Sequence, residues 1–181
     1  MTIEPDAKNW TWVLERECED CGFDIRSFPP TDIGQLIREA AEPWPQILAH
    51  PFVRVRPDEA TWSALEYGCH VRDVYRLGMY RVNRMLSEDD PRFDNWDQDA
   101  TAITERYDLQ DPIVVADELA EAAAAFAGLY DHVGPHQWSR SGLRSDGFSF
   151  TVESFGRYFL HDPAHHIVDV RHGFEVLERG R

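Results

Sequence analysis

The chain has 181 residues, 43% hydrophobic and 12% aromatic, with a formal net charge of -15. That length suits one domain, or one domain with an arm, around a buried core. A surface so acidic repels phosphate backbones, which argues against nucleic-acid binding, and no stretch nears the roughly 20 apolar residues needed to span a bilayer.

Met1 to Asp6 lacks the basic and apolar regions of a signal peptide, and three cysteines make no even disulfide framework, so a reducing, cytoplasmic location is expected. Residues 1–30 read as an irregular arm. Its apolar run of Trp10, Trp12, Val13 and Leu14 is either strand-like or a cover for one end of the core. Cys18-Glu19-Asp20-Cys21-Gly22 has the form of half a zinc knuckle. The other half is not apparent, because Cys69 is the only further cysteine and lies far along the chain. The acidic residues Glu17, Glu19 and Asp20 would raise a thiol pKa. A structural or adventitious-metal role is therefore favoured over a redox dithiol.

Pro29-Pro30-Thr31-Asp32 signals a helix start. Ile33, Leu36, Ile37, Ala40, Trp44, Ile47 and Leu48 follow at helical spacing, with Pro43 and Pro45 set to kink or end that helix. A second helix begins near Trp62, with an apolar stripe through Tyr67, Val71, Val74, Tyr75, Val82, Met85 and Leu86. His70 borders the stripe and Glu66 lies one turn before it. Residues 87–110 read as a long polar loop whose Phe93, Trp96 and Tyr107 anchor it or pack it over something. Asp111-Pro112 opens a third helix carrying Val115, Leu119, Ala122, Phe126, Leu129 and Val133. Residues 136–147 read as a turn-rich connection with two arginines, Arg140 and Arg144, suited to an anionic ligand or to a plain loop.

The fourth helix, from about Ser149 toward Glu178, carries Pro163, which should kink it. It also carries the chemistry. In His161-Asp162-Pro163-Ala164-His165-His166, residues 161 and 165 stack one turn apart on one face. They share a polar stripe with Ser154, Arg157 and Tyr158, opposite the apolar face, and such a stripe has the character of a cleft lining or of a solvent face. His166 falls on the apolar face and reads as structural. His70, His161 and His165 are the expected three-nitrogen metal site, leaving coordination positions open as catalysis requires. Asp169, one turn after His165, would receive its free ring N–H.

With four long helices, a lone histidine on the second and His-x-x-x-His on the fourth, residues 31–178 resemble the DinB-like metalloproteins. These are similar in fold to mycothiol-dependent maleylpyruvate isomerases and bacterial thiol-dependent S-transferases. The resemblance implies an all-α four-helix bundle over residues 31–181, with the arm packed on it and a long loop between helices two and three. It implies a divalent ion, zinc first and nickel second, on His70, His161 and His165. It further implies a metal-activated low-molecular-weight thiol such as mycothiol, and a small-molecule electrophile as its partner in S-transfer or isomerisation. A homodimer is compatible with it. Arg157 and Tyr158 are the candidates for binding substrate or thiol, with Arg140 and Arg144 behind them. The alternative is a non-catalytic, metal-binding helical stress or binding protein.

Overall fold

The structure is a computed structural model that describes residues 10–180. The first nine residues of the expected arm, with the signal-peptide reading made on them, lie outside the described residues.

Helix α1 (Ile33–Ala41) buries Ile33, Ile37 and Ala40 on one face. The prolines end it early. The chain restarts as the short α2 (Trp44–Leu48), with Pro43 at the cap and Pro45 in the first turn, where a missing N–H costs no helical bond. Helix α3 (Ala64–Ser87) is opened by a capping box in which Ser63 accepts from the Glu66 backbone and the Glu66 side chain reaches back. The short α4 (Gln98–Thr104) follows. Helix α5 (Pro112–Asp131) is capped by Asp111 and buries Val115, Leu119, Ala122, Phe126 and Tyr130, close to the expected seam. Helix α6 (Val152–Arg179) is capped by Thr151 and remains continuous through Pro163. Helices α1 with α2, α3, α5 and α6 make the four-helix bundle, whose common core includes Trp44, Tyr75, Phe126 and Phe155. Among the described residues no helix is long and apolar enough to cross a membrane.

A small sheet was not anticipated. Strand β1 (Arg92–Phe93) pairs in parallel with β2 (Ser141–Arg144), which pairs antiparallel with β3 (Ser149–Thr151). The turn between β2 and β3 is Asp146-Gly147, with Gly147 at φ +91°, an Asp-Gly hairpin signal. Strand β3 takes the first residues assigned to the fourth helix, so α6 starts at Val152 instead of Ser149. The sheet ties the long loop to the entrance of α6. There is no room for a side chain at Gly142, where a Cβ would come within 2.6 Å of the Phe93 ring.

The loop between α3 and α5 packs down over the bundle, as its aromatics suggest. Phe93 and Tyr107 are buried, and Tyr107 donates to Asp73. Trp96 stacks on His70 with ring centroids 5.3 Å apart and planes 6° from parallel.

Candidate metal centres

The three histidines expected to share one ion are divided between two clusters. Both draw on the same turn of α6. His161 and His165 are one i,i+4 pair, and Asp162 and His166 are a second, turned 100° around the helix. The two pairs face different neighbours.

Asp162 and His166 face α3. There His70, Asp162 and His166 bring one donor atom each to within 4.8 Å of one another. His70 Nε2 lies 3.2 Å and His166 Nε2 3.5 Å from Asp162 Oδ1. Nitrogen and oxygen ligands about 2.1 Å from a common tetrahedral ion would stand about 3.4 Å apart. Asp162 Oδ1 is closed off from solvent and has no hydrogen-bond partner, a costly state for a carboxylate oxygen unless a cation meets it. Burial by itself would raise this carboxyl, but the His70 and His166 imidazoles hold it below the usual carboxylate range. Asp169 Oδ2 lies 2.8 Å from His166 Nδ1. That contact leaves His166 Nε2 as the ligating nitrogen. These residues fit a divalent ion.

His161 and His165 face the N-terminal arm. Cys18, Cys21, His161 and His165 form a second cluster with one donor atom each inside the same 4.8 Å limit. His161 is 4% exposed. The stripe assigned to a cleft lining or to solvent is thus covered in part by the arm, which crosses α6 as a 3-10 turn over Trp10–Leu14 rather than as a strand. The Trp10 ring centroid sits 5.6 Å from His161 and 5.3 Å from His165. Burial, with neighbouring His165, pulls the His161 imidazole down to about 4, so it is the neutral, ligating form at pH 7. Burial pushes the Cys21 thiol up to about 11 and the Cys69 thiol up to about 12. Neither is a reactive thiolate by itself.

A cavity of about 1140 Å³ opens beside both clusters. Its walls include Trp62, Trp96, Arg81, Arg144 and Tyr158. Tyr158, one of the two expected binding residues, lines the cavity, and Arg144 donates to its hydroxyl over 3.4 Å. Arg157 does not line the cavity. It pairs with Glu153, donates to the Ile25 carbonyl and lies over the Phe28 ring, so it holds the arm. Arg140 is likewise spent on the Met85 and Glu88 carbonyls. Glu66 is committed to Ser63 and Arg56. Asp169 backs His166 more closely than His165, whose Nε2 is 3.7 Å away.

Arg81 was missed. It is 6% exposed, borders the cavity, and donates to the Asp94 carbonyl over 2.6 Å. It forms no ion pair among the described residues. Burial, reinforced by the Arg144 guanidinium, lowers its pKa to about 10. Its place on the buried side of α3 was legible only as an arginine inside an apolar stripe.

The DinB superfamily model matches residues 26–168. The chain belongs to the DinB superfamily. The match begins after Cys18 and Cys21, so it spans His70 and the whole of His161 to His166 but leaves out the cysteine turn. YfiT from Bacillus subtilis, described as a probable metal-dependent hydrolase with an unusual four-helix bundle topology, is similar to this DinB chain. Its TM-score is 0.61 at 17% identity, covering 98% of this chain and 93% of that one. At that identity the likeness is one of fold. No curated protein matches the sequence.

Proposed function

We propose that the chain is a metal-dependent enzyme whose divalent ion, zinc in first place, is held by His70, Asp162 and His166. The observation that carries this reading is the convergence of three donors, one a buried carboxylate oxygen without a hydrogen bond, beside the cavity. Three protein ligands leave positions open for a reactant. A divalent ion bound there would favour deprotonation of a coordinating thiol near neutral pH. The reaction proposed is S-transfer or isomerisation using a low-molecular-weight thiol, mycothiol being one such thiol. The cavity of about 1140 Å³ has room for reactants beside the ion.

The chain's own residues have distinct parts in this reading. Asp169 fixes the His166 tautomer. Trp62 and Trp96 pack on His70 and keep bulk water from it. Arg81, with Arg144 near it, offers positive charge to a carboxylate or similar anion on the electrophile. Hydrolysis is the second reading, supported by the description of YfiT, with water in the place of the thiol.

The test is turnover by metal-loaded protein given a bacterial thiol and a panel of electrophiles with and without a carboxylate. Thiol conjugates or isomerised products are expected. H70A should abolish them, and R81Q should raise KM for the carboxylates at least tenfold while sparing the neutral ones. Thiol-independent hydrolysis would transfer the assignment to the second reading. No turnover of any kind with metal bound would end both.

A further inference from the structure

We infer that Cys18, Cys21, His161 and His165 form a second, structural zinc site that clamps the N-terminal arm onto α6. It stands apart from the proposed reaction and does not depend on it.

The donor set comes first. Two cysteines separated by two residues face two histidines separated by three, which is the Cys₂His₂ set of structural zinc. The half-knuckle that lacked a partner finds it on a helix 140 positions later. The backbone of the turn is shaped for the task. The Gly22 N–H donates to the Cys18 carbonyl over 2.7 Å, the Cys18 N–H to the Phe23 carbonyl over 3.1 Å, and Gly22 takes φ +71°, a conformation that favours glycine.

The distances come second. Cys18 Sγ is 3.7 Å from His165 Nδ1, and Cys21 Sγ is 3.6 Å from His161 Nε2. With Zn–S of about 2.3 Å and Zn–N of about 2.0–2.1 Å at a tetrahedral angle, sulfur and nitrogen stand about 3.5 Å apart.

Charge and closure come third. Cys18 is fully buried. Two thiolates cancel the charge of one Zn²⁺, so the occupied cluster is neutral and burying it carries no net-charge penalty. Four protein ligands fill a tetrahedron. This separates the site from the three-ligand centre one residue along the helix, and assigns it to structure. Its product is a wall. Trp10, Asp20, His161 and His165 all border the cavity, so the clamp holds the arm as one side of that cavity.

The experiment uses protein purified without an affinity tag. Its metal content is measured in the parent and in C18S/C21S, and both are reloaded with Co²⁺. The parent is expected to show a thiolate-to-cobalt charge-transfer band that C18S/C21S lacks. C18S/C21S should hold one ion per chain fewer, keep its helical circular dichroism, and be cut faster by trypsin after Arg16 and Arg26. In the parent, a mercurial thiol reagent should release one zinc per chain, a readout that needs no variant. H70A should keep the charge-transfer band. Equal metal content in parent and C18S/C21S, or a Cys18–Cys21 disulfide with no cobalt–thiolate band in the parent, would overturn the site.

Discussion

A single step along α6 decides which centre a side chain serves. His161 and His165 reach cysteines, while Asp162 and His166 reach His70, because consecutive helical residues point 100° apart. The histidine spacing was plain in the sequence, but its partner was not. His166 fell on the apolar face and was read as structural. Yet a ligand that meets another helix must face the bundle, so the apolar side was the place to look for the mate of His70. Asp162 was passed over although Asp162 and His166 share the i,i+4 spacing of His161 and His165, because an Asp-x-x-x-His pair stands out less than a pair of histidines. Glu66 shows the opposite case, a buried acid that serves stability. Burial works against its charge, but bonds from Arg56 and Ser63 prevail and hold its pKa low. A depressed carboxylate adds stability above its unfolded pKa and loses it as pH falls through the folded one. E66Q should therefore cost about 1–3 kcal/mol at pH 7. Urea unfolding at several pH values should show this difference from the parent shrinking below about pH 4.5. A difference that does not change with pH would assign Glu66 a packing role alone.

Among the elements, the long helices were legible from period and caps. Asp111-Pro112 opens α5, Ser63 with Glu66 opens α3, and the paired prolines break α1 from α2. The sheet was not legible, since strands of two to four residues are too short for alternation to register. Only the Asp146-Gly147 turn signalled it. The sheet matters because it anchors the loop that places Trp96 on His70. G142A drives a methyl group into Phe93 and Met85, and should cost about 1–3 kcal/mol. It should also loosen the loop, raising Trp96 accessibility to fluorescence quenchers. Parent-like stability and quenching would show that the contact relaxes freely.

Over the whole molecule, the bundle and its superfamily are readable from four helices and the His70 and 161–166 motifs. The division into two centres is not, because it arises from an arm meeting a helix 140 positions away, and contacts that distant leave no local pattern. The arm closes one centre with two cysteine ligands and walls the cavity of the other, so α6 serves structure and chemistry on adjacent faces. The most direct test of that division is a comparison of H165A with H166A, each loaded with cobalt and counted for metal. H165A should lose the thiolate-bound ion and keep the other, while H166A should keep the thiolate band and lose the His70 ion. If instead H165A and H70A lose one and the same ion, the three histidines share a centre and the division drawn here is contradicted.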